Sequence, residues 1–424
     1  MDKKNLTGKG FFPCCRYGGF HMLKKSAFRA IMTACVLLSF VTVGLYAQGV
    51  PRQDYTGLDK YLEQGRNADA SFVGVRAAEF LTIPVGARAI AMGSAFSSVA
   101  DDISAIWWNP AGLGFLQQRE LMLTVVDYTL DLTYSYGGFA FPIGDGNAVV
   151  GGFFGYLDIP DMEITTIGSP DGTGSYFNAY DFQMGGSFAY NLSDRFTAGM
   201  NAKYVHEDVY NNVGGSAFAI DAGAIYHTEL ADREIKFAFA IQNLGTNITM
   251  RGPNLLKEVG PESRGGSFPS GYNDFSWDEF AVSRRGNRQA YIRTHTYRLP
   301  TTVKVALAYS LLTSESVNWI ASAELWRNNN IPISYATGSE LTYNFNPVIS
   351  ASLRGGWQIQ TDEYTEGADQ FGYTYLGDDP TFRGLSVGGG IKRVFGGRHV
   401  EFSYAYRNRG RLTADNFFTL TFGF

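Results

Sequence analysis

The chain has 424 residues, with 50 Gly, 25 Tyr and 32 Phe, 18% charged residues and a formal net charge of −5. That length holds two or three ordinary domains or one large β-barrel, and aromatics and glycine at this level favour strands and turns over helices. A mean hydropathy of −0.11 excludes a helical membrane protein.

At the N-terminus, Lys24, Lys25 and Arg29 precede an apolar run from Ala30 to Leu45, and Leu45-Tyr46-Ala47 supplies a small-residue cleavage site. This is the pattern of a secretory signal peptide over residues 1–47. Met22 is an alternative start, because residues 1–21 lack targeting character. A retained anchor is the competing reading, although the run is short for a membrane span. Cleavage after Ala47 removes Cys14, Cys15 and Cys35, the three cysteines of the chain. Disulfides, zinc–cysteine sites and thiol chemistry are then excluded from the mature chain. Cleavage also removes seven of 35 basic residues and one of 40 acidic ones, leaving 28 against 39, or −11. An acidic exported chain is a poor match for nucleic acid.

Residues 48–118 follow no strand pattern. "LDKYLEQG" (58–65) and "AAEFL" (77–81) suggest short helical turns. The stretch from Val85 to Trp108 is built of small residues with Ile, Met, Phe and Trp mixed in; small residues let backbone pack closely against surrounding walls. This segment needs somewhere to bury Met92, Phe96, Trp107, Trp108 and Leu113.

From residue 119 the pattern has period two. In "TVKVALAYS" (302–310), Val303, Val305, Leu307 and Tyr309 oppose Thr302, Lys304, Ala306 and Ala308; "RFTAGMNAKYV" (195–205) and "VEFSYAY" (400–406) behave alike. One apolar face and one polar or small face fit a sandwich, and equally a barrel with lipid outside and water inside. The alternation predicts strands near 119–127, 132–141, 147–157, 178–190, 195–206, 215–227 and 235–244. Seven more are predicted near 300–311, 317–326, 333–343, 349–359, 384–394, 399–407 and 415–424. Fourteen is an even number, and the long connections, 158–177, 245–299 and 360–383, all follow odd strands. Outer-membrane barrels sort their loops in this way, with tight turns at the periplasmic end; a sandwich has no reason to. Pro142, Pro160, Pro170, Pro253, Pro261, Pro269, Pro332, Pro347 and Pro380 are placed in connections, and Pro300 opens a strand. The chain ends "FFTLTFGF", a closing strand with a terminal Phe that resembles the signal read by the barrel assembly machinery. The expected fold is all-β transmembrane: a 14-stranded antiparallel outer-membrane barrel over 119–424, with residues 48–118 as a partly helical hatch or plug in the lumen, since barrels of this width leave a channel unless filled.

"PVGARAIAMGSAFSSVADDISAIWWNPAGLG" resembles the N-terminal signature of the FadL-like outer-membrane proteins, specifically the PorV/PorQ branch and its spirochaetal relatives. "AIQNLG" (240–245) and "LPTTVKVALAY" (299–309) resemble later stretches of that branch. The resemblance implies passive uptake of hydrophobic small molecules, long-chain fatty acids among them. It places Asn109, Pro110, Ala111 and Gly112 in a gating hatch, with Phe96, Trp107 and Trp108 as candidates for the walls of a hydrophobic path. The competing readings are a plain Pro-Gly turn and packing anchors. The PorV branch implies a second function: a membrane anchor for secreted proteins, with loop 245–299 as docking surface.

Signs of catalysis are missing. Asp101 and Asp102 have no His, Lys or Ser motif beside them and read as helix caps or as a lumen-wall ion pair. His21, His206, His227, His295 and His399 lack a second ligand at metal spacing. "THTY" (294–297) is a weak hint of the Ser–His type of pair that outer-membrane phospholipases need. The expectation is a non-enzyme without cofactor or metal. The basic stretches 283–298 and 407–411 read as solvated outer loops or as contacts for anionic outer-membrane lipid.

Overall fold

The computed structural model describes residues 76–424 other than 129–130, 145, 211, 260–287, 293, 330, 361–383 and 411–413. The predicted signal peptide and the helical turn at 58–65 lie outside the described residues, as does most of the long loops 245–299 and 360–383.

Fourteen strands form one closed antiparallel barrel. They are β1 (Glu120–Tyr128), β2 (Leu132–Ile143), β3 (Ala148–Glu163), β4 (Tyr176–Ser193), β5 (Phe196–Tyr210), β6 (Val213–Leu230) and β7 (Arg233–Gly245). The second half is β8 (Thr302–Thr313), β9 (Val317–Asn328), β10 (Ile331–Asn346), β11 (Ile349–Gln360), β12 (Leu385–Phe395), β13 (Arg398–Asn408) and β14 (Ala414–Gly423). Each strand pairs with its sequence neighbours, and β1 pairs with β14 from Glu120↔Gly423 to Asp127↔Asn416. Closure satisfies the ladder on both sides of every strand, which a membrane requires of a sheet. Among the described residues no helix is long and apolar enough to cross a membrane.

Side-chain alternation decides between barrel and sandwich. On β8, Thr302, Lys304, Ala306 and Ala308 are buried, whereas Val305 and Leu307 are exposed. The same holds for Phe402 and Tyr404 against Ser403 and Ala405 on β13. The apolar face thus points outward all round, through Leu123, Phe139, Phe154, Phe188, Val305, Leu353, Ile391 and Phe418. Leaving such side chains in water costs roughly 1.5–3 kcal/mol each, so their solvent is lipid. This is the architecture of an outer-membrane-type barrel.

Three prolines depart from the placement read in the sequence. Pro142 lies in β2, Pro160 in β3 and Pro332 in β10. Each sits near a strand end, and Pro160 falls where the β3–β4 register shifts between Ile159 and Met162. Strand ends and bulges are where the ladder spares an amide. The outer ends of β3 and β4 run past their predicted limits, and the loop after β7 contains two small two-stranded sheets, Ile248–Thr249 with Thr296–Tyr297 and Leu256–Val259 with Arg288–Tyr291.

Residues 76–118 fill the lumen. They form a 3-10 turn (Glu79–Thr82), helix α1 (Ala87–Ala91), helix α2 (Ala105–Trp108) and a second 3-10 turn (Pro110–Phe115). Their position inside the barrel follows from their partners, which come from opposite walls. Ala87 N donates to Thr419 on β14, Ser97 to Glu324 on β9, and Asn201 on β5 donates to Ile106 O.

Candidate functional site

The plug is held by polar groups on the inner wall, so its geometry starts from how that wall is charged. Lys203, Asp221, Lys304, Glu324, Glu340 and Arg354 are all buried on the lumen side. Buried charges persist only when paired or hydrogen-bonded, and most of these find partners in the plug or beside it.

Arg88 on α1 is the centre of the largest network. Its guanidinium donates to Asp101 at 2.6 Å, to Asp102 at 2.7 Å and through two nitrogens to Glu340 on β10 at 2.8 Å. Glu340 also takes Arg354 of β11 at 2.6 Å, and Arg354 reaches Glu401 of β13 at 3.1 Å. Burial works against the Arg88 charge, but Asp101, Glu340 and Asp102 outweigh it and hold the guanidinium above its ordinary pKa. Asp102 has a second task, accepting from Ser104 N at 2.8 Å where α2 begins. The ion-pair role read from the acidic pair is therefore present, whereas α2 itself, with Ser104 at its N-cap, has no side-chain cap.

A second wall carboxylate grips the backbone. Glu324 accepts from Phe96 N at 2.9 Å, Ser97 N at 2.8 Å and Ser97 Oγ at 2.8 Å. On the side of the outer loops, Glu207 of β5 accepts from Ala78 N at 2.8 Å.

The Asn-Pro-Ala-Gly stretch is fully buried and lies against the inner wall, where Pro110 and Asn109 press on Gly199 of β5 and Gly223 of β6. Asn109 is extended (φ −158°, ψ 104°), and its Oδ1 accepts from Ala111 N at 3.2 Å, capping the 3-10 turn that Pro110 opens. This is the usual work of Asn before a Pro-initiated turn. Its Nδ2 donates to Ser97 O at 3.1 Å and to Ala224 O of β6 at 3.4 Å. Asn109 thus ties two plug segments to each other and to the wall. Gly223 makes this possible, since a Cβ there would collide with Oδ1 of Asn109.

Phe96, Trp107 and Trp108 form one cluster. The Trp107 and Trp108 ring centroids are 4.7 Å apart, and Phe96 meets Trp108 edge-on at 6.0 Å. Trp108 Nε1 donates to Val85 O at 2.7 Å, and Gln242 of β7 donates to the Trp107 and Trp108 carbonyls. The three rings are packed together, and Trp107 also borders a small cavity shared with Leu81, Ile106, Tyr136 and Phe153. Two wall residues complete the cluster: Lys304, whose ammonium faces both indoles, and Trp326 of β9. Lys304 was legible as a lumen-side residue of its strand; Trp326 carried no signal linking it to Trp108.

The lumen differs on the two sides of the plug. Toward the outer loops, Phe80 and Leu81 pack in the same apolar cluster as Val126, Tyr134, Tyr136, Phe153 and Leu157, and Asp181, Gln183, Asp208 and Asn243 are buried on the same side. Toward the tight turns lies a polar cavity of about 290 Å3, whose lining includes Arg88, Asp101, Asp102, Glu120, Lys392 and Glu401. Among the described residues no group of His, Cys, Asp and Glu is arranged to hold a metal.

No family model matches the sequence, and no curated protein matches it. Solved structures do. The Pseudomonas putida toluene transporter TodX superposes with a TM-score of 0.50 at 10% identity, covering 80% of this chain and 98% of its own. The Ralstonia pickettii toluene transporter TbuX gives 0.47 at 13% identity, with 80% and 98% covered, and a Pseudomonas aeruginosa FadL homologue gives 0.44 at 13%, with 80% and 97%. The FadL-like resemblance of the sequence holds at the level of the fold, and its narrower PorV/PorQ assignment is not shown. The chain shares its fold with the toluene transporter TodX: a closed fourteen-stranded outer-membrane barrel.

Proposed function

We propose that the protein is an outer-membrane channel for passive uptake of hydrophobic small molecules, with the segment ending near residue 118 as its hatch. The observation that carries this is a closed barrel whose lumen is filled by a separate N-terminal segment, with a cluster of apolar and aromatic side chains on its outer-loop side. An apolar solute captured among the outer loops meets the cluster of Phe80, Leu81, Tyr136 and Phe153. Straight passage would then take it into a charged cavity, which disfavours it.

A sideways exit suits such a solute better. Across β2, β3 and β4 the wall is thinned by Gly137, Gly138, Gly151, Gly152 and Gly185, and its outer surface carries an apolar groove flanked by Phe139, Phe154 and Met184. Ile103 and Ile106 of the plug stand directly behind Gly138. A small plug movement there would join the upper lumen to lipid without crossing the charged cavity. The long-chain fatty acids implied by the sequence resemblance, and toluene, which the names of the TodX and TbuX transporters carry, are the two substrate classes to compare.

The test is uptake of labelled fatty acid and labelled toluene by cells expressing the protein, the Asn109→Ala variant or an empty vector. Faster uptake than the vector control, altered by Asn109→Ala, is expected. Uptake equal to the vector control for both probes would overturn the transport reading.

A further inference from the structure

β8 sets Lys304 on the lumen face, where it is buried and where its ammonium has no hydrogen-bond acceptor among the described residues. Three indoles surround it instead. The ammonium lies 4.5 Å from the Trp107 ring centroid, 4.4 Å from that of Trp108 and 4.9 Å from that of Trp326. Trp326 stands opposite Lys304 in the β8–β9 register. Two walls of this cage belong to the plug and one to the barrel.

A buried ammonium normally finds a carboxylate. The carboxylates that act on this one are committed elsewhere. Glu324 is taken up by Phe96 N and by the amide and hydroxyl of Ser97, while Asp221 takes Lys203 at 2.9 Å, Asn201 at 3.0 Å and Asn243 N at 2.7 Å. The charge of Lys304 therefore rests on indole faces, an attraction strongest where water is excluded.

We propose that Lys304 is the latch of the plug, a positioning residue that holds Trp107 and Trp108 against the wall through its charge. The proposal rests on reading the plug as a hatch. When the two tryptophans swing away, the ammonium keeps only Trp326 and stays in the lumen with no acceptor, which is costly until water reaches it. Release of the plug is thus coupled to wetting of the lumen beside β8. The device is asymmetric. Glu324 secures one plug segment by hydrogen bonds that Phe96 and Ser97 supply, whereas Lys304 secures the next by a contact that hydration weakens.

The experiment uses the full mature protein in detergent, with barrel folding verified by gel mobility before and after boiling. Hydrogen exchange is followed by mass spectrometry over residues 105–116. Lys304→Met keeps the length and fills the space without the charge, and Lys304→Arg keeps the charge. If the latch is right, exchange in this segment rises about thirtyfold in Lys304→Met and stays within about threefold of wild type in Lys304→Arg. A residue that merely fills space predicts the reverse, so unchanged or slower exchange in Lys304→Met overturns the proposal. If that variant fails to fold, Trp326→Leu removes one wall of the cage and leaves the charge; a rise of about fivefold supports the latch and none overturns it. Wild-type protein that moves no hydrophobic probe while the exchange contrast persists defeats the transport reading alone. Uptake without the contrast defeats the latch alone.

Discussion

Asn109 is a small residue with an outsized set of obligations. Its amide satisfies the Ala111 N–H and the carbonyls of Ser97 and Ala224, all inside a closed lumen. Removing it leaves buried groups unpaired, at about 1–3 kcal/mol. Asn109→Ala is therefore expected to loosen the plug without unfolding the barrel, read as faster exchange over residues 95–113 at unchanged gel mobility; a plain turn predicts no change. Arg88 has a harsher dependence. Arg88→Met leaves Glu340, Asp101 and Asp102 without their shared cation, and breaking a buried pair costs about 3–5 kcal/mol. Arg88→Lys, which keeps the charge and loses the fork, should fall between wild type and Arg88→Met in thermal midpoint. Of the acidic members of this network, Asp101 and Asp102 were visible in the sequence as structural residues. Arg88 was not, because it stands 13 and 14 residues from its partners, a spacing that no local periodicity joins.

At the scale of elements, the strands were legible because a barrel wall between lipid and a polar lumen enforces strict alternation. All fourteen strands occur where the pattern placed them, and the mismatches fall at their ends. β3 continues to Glu163 and β4 begins at Tyr176, beyond the lipid-facing rows, where nothing compels one face to stay apolar. The plug was legible only as something other than a strand. Its helices are four and five residues long, too short for a helical period, and its shape is set by the wall. Met92 shows how closely: at Gly356 of β11 a Cβ would collide with the Met92 backbone, whereas at Gly355 it would meet nothing within 4 Å. Gly356→Ala is accordingly expected to overpack the lumen, at about 1–3 kcal/mol, with faster proteolysis of the plug. Gly355→Ala, one residue away on the lipid side, should match wild type. Equal behaviour of the two would mean that the plug tolerates displacement at α1.

For the whole molecule the decisive quantity is orientation, because capture from outside requires the end of the lumen that holds the apolar cluster of Phe80, Leu81 and Phe153 to face outward. The connections between even strands and their successors are tight, as at Ala231–Asp232, Pro347–Val348 and Gly396–Gly397, while the connections after β7 and β11 span residues 246–301 and 361–384. Outer-membrane barrels put the tight turns in the periplasm, which places the charged cavity there as well. Loss of the signal peptide would remove every native cysteine, so single cysteines can be introduced into a clean background. Asp171→Cys, in the connection after β3, is expected to react with an impermeant maleimide on intact cells. Glu315→Cys, between β8 and β9, is expected to react only after the outer membrane is opened. The reverse pattern would turn the molecule over and put the charged cavity first in the path of an incoming solute, where an apolar one would find no reason to enter. Labelling at both positions in intact cells would instead show a leaky envelope, and wild-type cells without any added cysteine provide that control, since they should stay unlabelled if the signal has been removed.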